Sequence, residues 1–218
     1  MEEDPIQVHC RVKPSPTGSP SFLRVDHSNG TVWADTSHSC RFHHVFGPEA
    51  SQRHVFEQTA LPLLESVCKG FNATLLAYGQ TGSGKTHTIC GDLVGDNQGI
   101  IPRVAGYLLD QLEQNKLDQV QFSVLEVYLG ELFDLSSKTQ NVSKLTIRER
   151  PNGDTFVQNL RTFNLVDFDD FVKRFQTASE IRKVAATRQN DRSTRSHLIA
   201  TFRVQVGSDR YHTPRLVR

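Results

Sequence analysis

An α/β domain is the fold class this sequence predicts, and three observations predict it. A short unbroken apolar run leads straight into a glycine-rich loop, period-two segments lie before and after it, and apolar residues recur at helical spacing in the stretches between. At 218 residues the chain is long enough for one well-buried domain, and a second core is not required.

The elements follow in order. Ile6 to Val12, IQVHCRV, alternates apolar and polar residues as a strand does, and KPSPTGSP after it is a loop. SFLRVDHSNGTVWAD is expected to be a hairpin, because Asn29-Gly30 tolerates the positive φ angles of a tight turn. Ser51 to Lys69 carries helical spacing through Val55, Phe56, Thr59, Leu63, Leu64 and Val67, with Ser51 as N-cap, Gly70 as terminator and a kink or break at Pro62. ATLLAY, Ala73 to Tyr78, has the character of a central parallel strand buried on both faces. Pro102 to Gln114 predicts a helix with proline in its first turn. QVQFSVLEVYLGELFDL, from Gln119, has the period of one long strand. A helix is expected to start at Asp167, which can cap it, with Phe168, Phe171, Val172 and Phe175 on one face. Leu198 to Val206 is the last expected strand.

Composition excludes several function classes. With 25 Lys and Arg against 24 Asp and Glu, the charge of +1 creates no field that would draw in nucleic acid or an anionic membrane. No nucleic-acid or membrane partner is expected, and the apolar runs are too short to span a bilayer. Acidic residues stand where a signal peptide would be basic. Cys10, Cys40, Cys68 and Cys90 form no CxxC pair, so reduced thiols in a cytosolic protein are expected. The sequons at Asn29, Asn72 and Asn141 are discounted, and His43-His44, without carboxylate or thiol partners, reads as surface decoration rather than a metal site.

The loop itself is Gly79-Gln80-Thr81-Gly82-Ser83-Gly84-Lys85-Thr86, a match to G-x-x-x-x-G-K-[ST] set between an apolar strand-like run and an expected helix. Its glycines let backbone N–H groups turn inward toward phosphate oxygens. Lys85 brings a full charge to the outer phosphates, and the Thr86 hydroxyl is a ligand for Mg²⁺. A second constellation, NDRSTRSH from Asn190 to His197, gathers hydroxyls and cations. Taken alone it reads as a polar turn capping a helix.

Together, FNATLLAYGQTGSGKTHT and NDRSTRSH resemble the kinesin motor domain, whose first nucleotide-sensing switch is N-x-x-S-S-R-S-H; Thr194 here replaces the second serine and keeps its hydroxyl. CRVKP is similar to that family's adenine-side R-x-[RK]-P, and GIIPR, LEVYLGELFDL and LTIRERPNG follow in the family's order. GFNATLLAYGQTGSGKT leans toward the chromokinesin-like group. The resemblance implies a P-loop NTPase-type fold with a central mixed β-sheet flanked by helices, bound ATP or ADP with Mg²⁺, microtubules as partner, and a place in the cytoplasm on the cytoskeleton. It implies that Arg11 and Pro14 flank the adenine, that His87 stacks near the base, that Ser193 contacts the attacking water, and that Thr194 approaches Mg²⁺ and the γ-phosphate. Arg195 would pair with a glutamate of the second switch, and Arg148 and Arg150 are candidates for meeting acidic tubulin.

No D-x-x-G-x-E of a second switch occurs in the 218 residues. The expectation is therefore a partial motor domain, residues 1–218, ending before that switch, the main microtubule-binding helix and the neck linker. Two functions follow, a motor ATPase present as its N-terminal portion or a truncated nucleotide-binding module without motor activity. An unrelated P-loop kinase or GTPase is disfavoured, because no acceptor site or guanine-reading N-K-x-D appears. Direction, processivity, cargo and oligomeric state are not encoded here.

Overall fold

A computed structural model describes residues 6–15, 23–136, 145–188, 195–206 and 211–212. The chain opens with β1 (His9–Arg11), a small antiparallel sheet of β2 (Arg24–Asp26), β3 (Thr31–Trp33) and β4 (Ser39–Arg41), and β5 (His44–Phe46), which pairs parallel to β1. The β2–β3 hairpin turns at the expected Asn29-Gly30, where Gly30 has φ +68 and a Cβ would strike the Phe42 carbonyl oxygen. Val12, Val32 and Val45 form the small core beneath these strands.

The expected helix at Ser51 is two helices, α1 (Gln52–Thr59) and α2 (Leu61–Cys68). Ser51 caps the first by accepting from the His54 N–H at 3.1 Å, and Pro62 falls in the first turn of the second, where its missing N–H costs nothing. The break at Ala60 is therefore clean. Next come α3 (Lys85–Ile89), α4 (Ile100–Glu113), β6 (Gln119–Tyr128), β7 (Glu131–Asp134), β8 (Thr146–Glu149), β9 (Thr155–Gln158), β10 (Phe163–Asn164), α5 (Phe168–Arg188), β11 (Ser196–Gln205) and β12 (Tyr211–His212). α5 begins as expected, with the Asp167 carboxylate accepting from the Asp170 N–H at 2.7 Å.

Two strand readings need correction. The single long strand expected from Gln119 is a hairpin, because Leu129 (φ 50) and Gly130 (φ 78) both take positive φ and fold β7 back against β6. The run Ala73–Tyr78 forms no strand, and its outward side chains are open to solvent, Leu76 at 59% and Tyr78 at 96%. Only the inward residues Ala73, Leu75 and Ala77 touch the core. A strand buried on both faces needs neighbours to take up its backbone groups and cover its second face. Among the described residues no strand pairs with it.

The main sheet runs β10-β6-β11-β12 with β7 also on β6, and its pairings are antiparallel; the parallel pair is β1 with β5. Mixed β structure flanked by helices is the outcome. Val120, Phe122 and Val124 of β6 alternate inward and meet Ala200, Phe202 and Val204 of β11 in the core with α4 and α5. Phe122 packs edge-on to Phe171 at 5.4 Å and tilted to Phe202 at 5.0 Å, contacts that each add about 0.5–1.5 kcal/mol beyond simple burial. Among the described residues no helix is long and apolar enough to cross a membrane, and all four cysteines are free.

Candidate functional site

The glycine loop sits between the extended run Ala73–Tyr78 and α3. Gly82 (φ +80) and Gly84 (φ +101) both occupy the left-handed region, and open space lies where their Cβ atoms would stand. A side chain at either position would strain the backbone. Ser83 N–H donates to the Gln80 carbonyl at 3.2 Å, tightening the turn, while Gln80 and Thr81 face solvent. Lys85 Nζ folds over the loop and donates to the carbonyls of Gly79 at 2.7 Å and Gln80 at 2.8 Å. Its ammonium is therefore held at the loop, one residue before the exposed hydroxyl-bearing Thr86. This donor set fits a polyphosphate with a hard cation: unpaired first-turn amides of α3, one ammonium, one accessible hydroxyl and two glycines that leave room.

The loop is tethered from the N-terminal side. Arg11 Nη1 donates to Gln52 Oε1 at 2.7 Å and to Thr88 Oγ1 at 2.9 Å, and burial lowers its pKa from the ordinary arginine value. Gln52, 5% exposed at the start of α1, donates from Nε2 to the His87 carbonyl at 2.7 Å. Lys13 Nζ donates to the Gly82 carbonyl at 3.0 Å. Arg11 is thus brought against the loop's helix, Pro14 follows Lys13 at an exposed position, and the His87 ring faces solvent while its backbone is held. Sequence reasoning missed Lys13, Gln52 and Thr88 as members of this site. Lys13 lay inside the quoted CRVKP and Thr88 at the end of the quoted FNATLLAYGQTGSGKTHT, so both had a visible signal; Gln52 gave none.

Ser193 and Thr194 lie outside the described residues. Arg195 is exposed immediately before β11, where the switch-like segment meets the sheet. Beside it, Arg182 of α5 donates from Nε to Glu126 Oε1 at 3.1 Å and from Nη2 to Ser196 Oγ at 3.2 Å. Arg148 and Arg150 belong to the β8–β9 hairpin and are both exposed; Arg148 Nε donates to Gln158 Oε1 at 3.0 Å, and Arg150 lies over the Phe156 ring at 5.1 Å. They share one hairpin, and the phosphate loop is not part of it.

Comparison with known proteins agrees with this geometry. The family model described as the kinesin motor domain matches residues 15–214. The chain is 37% identical over 216 residues to the kinesin-like protein KIN-14T of Arabidopsis thaliana, covering 93% of this chain and 24% of that protein. It is 38% identical over 168 residues to klp-20 of Caenorhabditis elegans, 75% of this chain and 26% of that one, and 33% identical over 215 residues to human KIF7, 94% and 16% respectively. The chain thus spans about a quarter or less of each relative's length. These relatives do not single out a chromokinesin-like group.

Proposed function

Because the chain belongs to the kinesin motor-domain family, we propose that it holds ATP or ADP with Mg²⁺ on the loop Gly79–Thr86 and serves ATP-driven movement on microtubules as part of a larger motor. The observation that carries this reading is the loop itself: left-handed Gly82 and Gly84 with open space beside them, Lys85 Nζ held on the loop carbonyls and Thr86 exposed next to it. Mg²⁺ would supply charge neutralisation for the phosphates, held there by hydroxyls of this chain. Lys85 supports the outer phosphates, Thr86 and Thr194 offer hydroxyls to the metal, and Arg11, Pro14 and His87 border the base. Ser193 orients water and Arg195 closes the site. What these side chains do is positioning and charge stabilisation, which small hydroxyls and cations supply. Arg148 and Arg150 are the surface cations for acidic tubulin, and the cytoplasmic cytoskeleton is the setting.

A second reading, a nucleotide-binding module without motor turnover, is favoured by a specific observation. Tyr78, immediately before the loop, is 96% exposed on a run that pairs with no strand among the described residues. A grip on nucleotide needs only the loop, whereas force needs the loop coupled to a rigid sheet. Titration with ATP and Mg²⁺ tests the shared part: Lys85→Ala should cost roughly 2–5 kcal/mol of affinity by leaving phosphate charge unpaired, and unchanged affinity rejects the loop assignment. Steady-state ATPase with and without microtubules separates the two readings, since the module alone shows no microtubule-stimulated turnover.

A further inference from the structure

Between α5 and β6 lies a cavity of about 310 Å³, and none of its lining residues belongs to the glycine loop or to the side chains that tether it. Phe122 and Val124 of β6 form an apolar wall. Three cations stand around it, Arg161 ahead of β10 and Lys173 and Arg174 of α5, with Asp170 as the one carboxylate among the lining residues. The rim is pinned from behind: the Asp134 carboxylate accepts from the amides of Ser136 at 2.8 Å and Arg161 at 3.2 Å. Arg174 lies over the Phe163 ring at 4.2 Å, and its Nε stands 2.9 Å from Asp170 Oδ1 without the alignment of a hydrogen bond. Arg174 Nε, Asp170 Oδ2 and Ser136 Oγ are thus buried with no hydrogen-bond partner among the described residues. Polar atoms withdrawn from water and left unbonded are costly, and three of them on one cavity call for a ligand that meets them.

We propose that this cavity binds a small phosphate monoester that also carries a hydroxyl. Three positive charges against one negative leave an excess of two, which a phosphate monoester matches with about −1.5 to −2 near neutral pH. Arginine forks and a lysine are the groups that take phosphate oxygens, and Arg161 and Lys173 are both exposed to receive them. Asp170 repels a bare anion, so its unbonded Oδ2 selects a donor, the ligand's hydroxyl. The volume is at the small end of ligand pockets and suits a compact metabolite. This site stands whether or not Gly79–Thr86 holds ATP.

Titration calorimetry of the 218-residue chain with glycerol 1-phosphate tests the proposal, and Lys85→Ala serves as a background in which the glycine loop no longer competes for phosphate. One equivalent should bind in that background as in the wild-type chain, and more tightly than propyl phosphate, which has the same head group and no hydroxyl. Arg161→Gln and Lys173→Gln, both at exposed positions, should each weaken glycerol 1-phosphate roughly tenfold, the worth of one hydrogen bond to a charged group. With Lys85 intact, the same two substitutions should leave melting temperature and ATP affinity unchanged. Asp170→Ala should erase the preference over propyl phosphate. Binding that vanishes with Lys85→Ala belongs to the glycine loop and overturns the proposal. Binding indifferent to both Arg161→Gln and Lys173→Gln overturns it, as does equal affinity for propyl phosphate or no heat at millimolar ligand. Tighter binding of a phosphoserine peptide overturns it as well, since that marks a docking site for a modified protein. Failure of ATP to bind touches the reading of the loop alone.

Discussion

Along β6 and β11, ten residue pairs run antiparallel from Gln119↔Gln205 to Tyr128↔Ser196, whereas Ala73–Tyr78, which leads into the glycine loop, is joined to no strand among the described residues. Both stretches are apolar and strand-like in sequence. The difference lies in what surrounds them. β6 has β7 and β10 on one edge, β11 on the other, and the phenylalanines of α5 over its face. Ala73, Leu75 and Ala77 touch the core from one side only, and the loop beyond them is steadied by side-chain hydrogen bonds from Lys13, Arg11 and Gln52. A paired sheet resists motion through many small backbone bonds acting together; a polar tether resists through a few longer side chains. The glycine-loop end of this molecule is therefore the softer one.

The largest expected effect tests the firm region. Phe122→Ala removes a ring that is fully buried against Phe171, Phe175 and Phe202, and should cost about 3–5 kcal/mol in urea unfolding. A loss under about 1 kcal/mol would show that the β6–β11 layer is not the stable half. Next, ATP at a hundredfold over its dissociation constant should stabilise the chain by about 2.7 kcal/mol. Hydrogen exchange would locate that gain: amides of 73–90 should slow more than those of β6, and equal slowing in both breaks the contrast. Ser51→Ala deletes the cap of α1, whose first residue is the tether Gln52, and should cost about 1 kcal/mol with a matching fall in nucleotide affinity. Tyr78→Ser, at a site 96% exposed, should change unfolding free energy by less than about 0.5 kcal/mol while reducing light scattering on storage.

Acid gives the gentlest probe. Burial, then the charges of His44 and His43, hold the His9 imidazole below its ordinary value of 6.5, and its Nδ1 is buried without a hydrogen-bond partner. The unfolded chain therefore takes up this proton more readily than the folded one. The stability that His9 contributes is complete above 6.5 and declines as pH falls from there toward the folded value. His9→Gln should flatten that part of the stability curve, measured by urea unfolding across the mildly acidic range, and leave the neutral-pH value nearly unchanged.

Much of this was legible from residue types alone, where local chemistry decides the outcome. Asp167 caps α5, Asn29-Gly30 turns the first hairpin and Pro62 separates α1 from α2 because each acts within a few residues of itself. The turn at Leu129-Gly130 was not legible, since a leucine at φ 50 is imposed by pairing on either side rather than invited by its own side chain. Ala73–Tyr78 was misread for the opposite reason: its composition suits a strand, but pairing is a property of neighbours. At the site, the glycines, Lys85 and Thr86 announce themselves through spacing. The bond from Arg11 to Thr88 joins residues far apart in sequence, and only the fold brings them together.

The β6–β11 register also dictates an order of events during synthesis. Tyr128 pairs with Ser196, so the firmest layer of the molecule cannot begin to close until the stretch between them has been made. At ~5–20 residues per second, that interval lasts about 3–14 s. Throughout it, Val120, Phe122 and Val124 have no β11 to pair with, while the loop's helix and its tethers from Arg11 and Gln52, all encoded earlier, can already assemble. The part that grips first is the part that holds least, and the seam that locks the domain is sewn last.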